Sequence, residues 1–398
     1  MSITLLGIGS GDARTLTLEA EQALLRAGCI IGAKRLLMQL PDGCTDNRVA
    51  ATKPEAILQV LEENRNLDCV VAYSGDSGFY SGCRSLLPLL RGTQATVLPG
   101  LSSVQLLAAA LGRPWQDWVL ISAHGVDCDA VSAVMQGHPA FFLTGGTLGP
   151  AALCAQLTEA GLGNLSVTVG EDLGTSAEKI TVTTAAEGAG SQFSALSVLL
   201  AEAAPVGPRR GPGWPDEWFV RGQVPMTKRM VRAAVLACLA PASDAIVWDV
   251  GAGTGSVSVE LAAMANRGKV FAVECREDAC DLIEANRRKF AAWNLRVVCG
   301  RAPEALQDLP RPDAVFIGGT RGSMAEIVRT ALSKNPAVRL CITAIALESL
   351  SSAMEVLQSC GIKPDITQVA VSQTKAAGHV HMLTAQNPIF IITGNCDD

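Results

Sequence analysis

The sequence predicts two α/β domains in one chain of 398 residues, and three observations carry that expectation. At 246–261, IVWDVGAGTGSVSVEL reads as an apolar strand, a turn of alternating glycines and a helix. From there onward strand and helix patterns alternate, as a mainly parallel sheet with helices on both faces requires. In the first half, apolar strands repeatedly run into short loops rich in glycine and serine. Between the halves, PVGPRRGPGWPDEWFVRG at 205–222 is rich in chain breakers and is expected to be a linker. The predicted division is 1–204, a linker over 205–222, and 223–398. No sequence repeat relates the halves.

The first half opens with a strand at 3–6 that ends in GIGSGD, with Ser10 in the turn. A helical pattern covers 17–27, and a short strand covers 29–32. Strand-to-loop junctions follow at 70–81 (VVAYSGDSGFYS), 96–105 (TVLPGLSSVQ) and 119–125 (VLISAHG). Ligands of open α/β sheets bind outside the carboxyl ends of strands, so Gly75 with Asp76, and Ser102 with Ser103, are candidates. Taken singly, each is an ordinary short turn. His124 follows a strand and is a candidate proton shuttle; the plainer reading is a hydrogen-bonded surface histidine.

In the second half, strands are expected at 245–250, 269–274, 295–299, 313–318, 338–343, 366–372 and 389–393, with helices such as 255–265 and 278–292 between them. Asp249 closes the first strand. Gly251, Gly253 and Gly255 then alternate with Ala252 and Thr254, and Glu274 closes the second strand. Glycines let the backbone approach a ligand, and an acid at that place accepts hydrogen bonds from ribose hydroxyls. A dinucleotide fingerprint wants its third glycine one place later, where this chain has Ser256. With no pyrophosphate to cradle, the spacing suits S-adenosylmethionine (SAM) better than NAD. GRAPEAL at 300–306, with Ala302, follows the third strand where adenine would be read. An ordinary turn beside a surface acid would not put these features in register.

Ahead of the first strand, RGQVPMTKRMVRAAVL at 221–236 offers Thr227 as a helix cap, with Lys228 and Arg232 on one helical face. The plain reading is a solvated basic helix start. The functional one is a gate over the cofactor whose cations Lys228, Arg229 and Arg232 hold substrate carboxylates. Asn387 and Pro388 invite comparison with the NPPY-type loop of nitrogen-directed DNA methyltransferases. That loop belongs after the fourth strand, which here ends in FIGG, so the comparison is discarded. His379 and His381 sit in a polar segment before the last strand, and no Ser–His–Asp or Cys–His set emerges.

Bulk composition narrows the function. A net charge of −6 and 4% aromatic residues argue against nucleic-acid binding, which needs a basic face and stacking platforms. No basic start leads into an apolar run, and no run approaches a membrane span, so a soluble cytoplasmic protein is expected. The 13 cysteines are scattered without a CxxC pair, the closest being Cys275 and Cys280. They read as small buried filler in an intracellular enzyme, and without close Cys/His pairs no metal site is expected.

Taken together, GIGSGDARTLTLEAEQAL, YSGDSGFYS, LPGLSSVQ, SAHG and VGEDLG resemble the tetrapyrrole methylases of cobalamin biosynthesis, which have the class III methyltransferase fold. VPMTKRMVR, WDVGAGTGSVSVE, GRAPEAL and VFIGG resemble their decarboxylating partner, which has the Rossmann-like class I methyltransferase fold. The two in this order resemble the precorrin-6Y methyltransferase family, over nearly the whole chain outside the linker. The resemblance implies methylation of carbon 5 of precorrin-6Y by the first half. It implies methylation of carbon 15, with loss of the carbon 12 acetate carboxyl, by the second, giving precorrin-8X. It implies SAM against Ser10, Gly75, Asp76, Phe79, Ser102 and Ser103 in the first half. In the second it implies SAM against Thr227, Gly251, Ala252, Gly253, Thr254, Gly255, Glu274 and Ala302, and a homo-oligomer such as a tetramer built through that half. Three residues depart from the family: Ser10 and Ser77 stand where proline is usual, and Val126 where arginine is common. Proline would preset φ in those turns, and serine does not.

Two rivals stand beside this reading. One is a methyltransferase acting on RNA or protein, since diphthine synthase and a ribosomal RNA methyltransferase share the first-half fold; the acidic balance and scarce aromatics weigh against it. The other is a cofactor-sensing protein with an inactive first half, whose support is the serine-for-proline changes.

Overall fold

The computed structural model describes residues 2–208 and 211–395. The chain forms two compact units, Met1–Ala130 with His138–Ala203, and Val131–Gly137 with Ala204–Asp398.

The first unit begins with five parallel strands, β1 (Ile3–Gly7), β2 (Cys29–Gly32), β3 (Arg48–Ala50), β4 (Cys69–Tyr73) and β5 (Ala95–Leu98), in the order β3-β2-β4-β1-β5. Side chains alternate across a strand. Leu5, Ile31 and Val71 therefore pack on the Pro54–Glu63 helix, while Leu6, Ile30 and Val70 pack on the Leu18–Arg26 helix. Covered on both faces, the inner strands are almost wholly apolar. Thr17 caps the Leu18–Arg26 helix by accepting from the Ala20 N–H at 3.1 Å.

A second sheet in this unit holds β6 (Val119–Ser122), β7 (Ala140–Leu143), β8 (Ser166–Glu171), β9 (Lys179–Thr184) and β10 (Ser197–Ala201), in the order β6-β7-β10-β8-β9. Of these pairings β6–β7 is parallel and the rest are antiparallel. None of β7 to β10 stands out in the sequence pattern. Periodicity alone does not separate short apolar runs from buried helix segments.

In the second unit, β11 (Ile246–Val250), β12 (Lys269–Glu274), β13 (Leu295–Cys299), β14 (Ala314–Ile317) and β15 (Arg339–Ala344) are parallel. β16 (Asp365–Val369) stands at the edge. A separate hairpin follows, β17 (Ser372–Ala377) and β18 (Val380–Ala385), and then β19 (Ile389–Gly394), which runs antiparallel between β15 and β16. The order is β13-β12-β11-β14-β15-β19-β16, so it reverses direction at β11.

Two expectations need correction here. The run predicted as one strand over 366–372 breaks after Val369, and the polar segment with His379 and His381 is the β17–β18 hairpin. A hairpin exposed on both faces lacks the polar–apolar alternation that marks a half-buried strand. Nor is 205–222 a free tether, although Arg209 and Arg210 within it lie outside the described residues. Trp214 and Phe219 are buried in the core of the second unit, each packed on Phe290 with ring centroids 5.2 and 4.8 Å away. Glu260 accepts from the Gly213 and Trp214 N–H groups at 2.6 and 3.1 Å. The prolines and glycines shape a strap that its aromatic residues pin down.

Candidate functional site

In the first unit, three loops meet where β1, β4 and β5 end. Gly9 and Gly75 exchange backbone hydrogen bonds, Gly9 N–H to Gly75 O at 3.1 Å and Gly75 N–H to Gly9 O at 2.7 Å. A Cβ on Gly7 would lie 2.7 Å from Gly75 O, and one on Gly100 would overlap the carbonyl oxygens of both Gly75 and Gly7. Only glycine permits this crossing. Asp76 braces it, with Oδ2 accepting from Gly78 N–H at 2.8 Å and Oδ1 from Gly100 N–H at 3.2 Å. Ser102 closes a capping box with Gln105 at the start of the Ser103–Leu111 helix.

Above this crossing lies a cavity of about 460 Å³. Ser10, Gly75, Asp76, Phe79, Ser102 and Ser103, drawn together from sequence, all line it, and so does His124. The His124 ring nitrogen Nδ1 lies 3.3 Å from Thr144 O, while the residue itself is exposed. Sequence reasoning passed over Arg35, Tyr73, Tyr80 and Asp172, which share the lining. Tyr80 and Asp172 hold left-handed backbones, φ 48° and 47°, which cost energy outside glycine and gather at functional sites. Tyr73 Oη and Ser103 Oγ are buried with no hydrogen-bond partner among the described residues. Burial also pushes the Tyr73 phenol above its ordinary range, so it stays a neutral donor.

The two serines that replace proline hold their loops by a different means. Ser10 Oγ donates to Gly174 O at 3.1 Å and accepts from Asp12 N–H at 3.2 Å. Ser77 is buried, and its Oγ donates to Leu98 O at 3.1 Å, tying the β4 loop to the end of β5. A hydroxyl tether across loops stands in for a fixed φ.

The second site lies where the sheet order reverses at β11, the place in an open α/β sheet where a crevice forms. Gly251, Gly253 and Gly255 have φ of 76°, 58° and 73°, and Ala252 and Thr254 ride between them. A Cβ on Gly251 would come within 2.6 Å of Gly319 O. Glu274 is buried and fixed by three N–H donors: Gly253 at 3.0 Å on Oε2, with Cys275 at 2.9 Å and Arg276 at 3.0 Å on Oε1. Ala302 lies in the loop after β13, whose Gly300 N–H reaches Glu274 O at 2.8 Å. Asp249 is fully buried. Desolvation pushes its carboxyl up to about 7, against a lowering by the Ser258 hydroxyl that donates to Oδ2, and the Glu274 charge raises it further. Asp249 Oδ1 and Thr254 Oγ1 are buried without a partner among the described residues.

The basic segment before β11 requires two corrections. The cap of the Arg229–Leu239 helix is Lys228, whose side chain makes no capping bond, and Thr227 lies one residue further out. Arg232 does not share an exposed face with Lys228. It is completely buried, donating to Glu260 Oε1 at 2.7 Å, Asp216 Oδ1 at 2.9 Å and Thr227 O at 2.6 Å, with its guanidinium 4.7 Å from the Phe219 ring centroid. A cation so enclosed cannot hold a substrate carboxylate; it binds the 205–222 strap to the unit. Lys228 and Arg229 are exposed.

Residues 2–189 match the family described as Tetrapyrrole (Corrin/Porphyrin) Methylases, and residues 217–394 match the Precorrin methyltransferase domain. A precorrin-6Y C(5,15)-methyltransferase (decarboxylating) of a Sinorhizobium species is 33% identical over 326 residues, 80% of this chain and 78% of that protein. A protein of the same name from Mycobacterium tuberculosis is 33% identical over 326 residues, 80% of each. A probable cobalt-precorrin-6B C(15)-methyltransferase (decarboxylating) of Pyrobaculum calidifontis is 39% identical over 189 residues, 47% of this chain and 97% of that protein.

Proposed function

The chain belongs to the precorrin-6Y C(5,15)-methyltransferase (decarboxylating) family, and from that premise we propose that it methylates precorrin-6Y twice and decarboxylates it once. In this reading the first unit methylates carbon 5. The second methylates carbon 15 and removes the carbon 12 acetate carboxyl, giving precorrin-8X in cobalamin biosynthesis. The relative spanned at 97% of its length by 47% of this chain is named for carbon 15 and decarboxylation alone, which supports such a division of labour. The observation that carries the reading is the pair of glycine-built sites, each with two buried polar atoms that lack partners among the described residues: Tyr73 Oη and Ser103 Oγ in one, Asp249 Oδ1 and Thr254 Oγ1 in the other. Such orphan atoms are costly unless a ligand meets them.

SAM, when bound, supplies an electrophilic methyl group in each unit. Ser10, Gly75, Asp76, Phe79, Ser102 and Ser103 would hold it in the first; Gly251 to Gly255, Glu274 and Ala302, with Thr227 at the edge, in the second. Glu274 presents a carboxylate already oriented by three amides, ready to accept from ribose hydroxyls. The chain's main contribution is alignment of methyl donor and acceptor, and alignment alone supplies roughly 7–11 kcal/mol. The macrocycle carbon is an enamine-like nucleophile, and the conjugated ring accepts the electrons released on decarboxylation. No strong base is then required. In the second unit, exposed Lys228 and Arg229 are the remaining candidate anchors for substrate carboxylates.

The reading places the protein in the cytoplasm; no helix among the described residues is long and apolar enough to cross a membrane. It also takes the chain to assemble with copies of itself through the second unit, where the β17–β18 hairpin exposes Val380, Met382 and Leu383. Mass spectrometry after incubation with SAM and precorrin-6Y tests the function. Two added methyls with loss of one carbon dioxide are expected. A product with no mass change, from both precorrin-6Y and its cobalt-containing form, would overturn it.

A further inference from the structure

The cavity of the first unit contains one permanent cation among its described lining residues. Arg35 sits just beyond β2, on the short Lys34–Leu37 helix, and is half-buried. It makes no ion pair among the described residues. Its one side-chain hydrogen bond among the described residues is long and weak, from Nη2 to Ser74 Oγ at 3.4 Å. The carboxylates of the lining, Asp76 and Asp172, make no ion pair with it among the described residues, and that of Asp76 is already occupied by two backbone amides. An arginine in a partly enclosed wall, without a counter-charge, is set up to receive an anion.

Its place in the sheet sets it beside the candidate cofactor loops. The candidate cofactor residues come from the loops after β1, β4 and β5, which are adjacent in the order β3-β2-β4-β1-β5. Arg35 follows β2, the neighbour of β4 on the side away from β1 and β5. The cation therefore flanks the proposed cofactor position.

We propose that Arg35 anchors a peripheral carboxylate of the macrocycle in the first unit and so positions carbon 5 for methylation. This rests on the functional reading given above. A guanidinium matches a carboxylate through two parallel N–H bonds, which fixes orientation as well as position. Arg35 is thus a substrate-anchoring residue, with no part in the bond-making step.

The test uses the full chain with precorrin-6Y and the variants R35Q and R35K. R35Q should raise KM for precorrin-6Y in carbon 5 methylation by about 10- to 100-fold, the range for a lost charge-assisted hydrogen bond. The kcat should change far less, and SAM affinity of the first unit, measured by calorimetry, should hold. R35K should recover part of the loss, keeping the charge without the fork. Unchanged KM in R35Q would overturn the proposal, as would a loss confined to SAM affinity, which would make Arg35 a support of the cofactor loop. Failure of the unaltered chain to methylate carbon 5, despite binding SAM, would instead overturn the functional reading and this inference with it.

Discussion

The two units build their candidate sites by opposite routes. In the first, the floor is a crossing of three loops that come from β1, β4 and β5, and it exists because Gly7, Gly75 and Gly100 leave room for one another. In the second, one turn of five residues does most of the work, and a single acid 19 residues beyond it, Glu274, is clamped to the middle of the turn by Gly253 N–H. The first site is held by hydroxyl tethers such as Ser77 to Leu98. The second is backed by a buried charge network that joins Arg232, Glu260 and Asp216. A distributed site tolerates exchange of single residues, because the tethers are several and weak. A concentrated site depends on a few buried groups, and its failures should be larger and more local.

The largest stability effect should come from the charge network. Arg232→Ala leaves Glu260 buried with only backbone donors, and breaking such a pair costs about 3–5 kcal/mol. Hydrogen exchange measured separately in each unit should show the loss in the second unit alone. Equal loss in both would erase the contrast drawn between them.

A smaller effect concerns pH. Asp249 has its carboxyl raised to about 7 in the folded chain, against 3.8 as its ordinary value. Between those values the folded chain keeps a proton that the unfolded chain has lost. Stability from this group is therefore full below the unfolded value, falls as pH rises across the window, and is gone above the folded value. The change is on the order of a few kcal/mol. Asp249→Asn should flatten that part of the pH–stability curve in chemical denaturation. A curve parallel to that of the unaltered chain would remove Asp249 as its source.

The smallest effect tests the distributed site. Ser77→Ala removes one buried hydroxyl and leaves Leu98 O without that donor, at a cost of about 1 kcal/mol. Carbon 5 methylation should persist with slightly weaker SAM binding. Complete loss of the activity would mean that the first site hangs on single contacts after all.

What could be read from the sequence follows the same contrast. The β11 turn and Glu274 lie within 29 residues of one another, 246–274, so their pattern is visible as one stretch. The first site was legible only as a conjunction of loops from Ser10 to Ser103, none of them distinctive alone. Arg35 was not legible, because its meaning comes from the neighbour order of β2 and β4, and Asp172 from a backbone conformation. Arg232 was misread for a related reason. Its spacing from Lys228 fits one helical face, and nothing local announces Glu260, 28 residues later, as its partner. The strap at 205–222 was misread because breakers dominate its composition, while three buried or half-buried aromatic residues decide where it goes.

The central claim is that one chain carries two separate SAM sites, each resting on its own glycines. Calorimetric titration with SAM tests it most directly, on the unaltered chain and on Gly100→Ala and Gly251→Ala. In each variant the new methyl group would overlap a backbone carbonyl of the crossing it enters. The account predicts two SAM molecules per unaltered chain and one per variant, with the remaining site at its original affinity. One molecule per unaltered chain, or two retained in either variant, would contradict it.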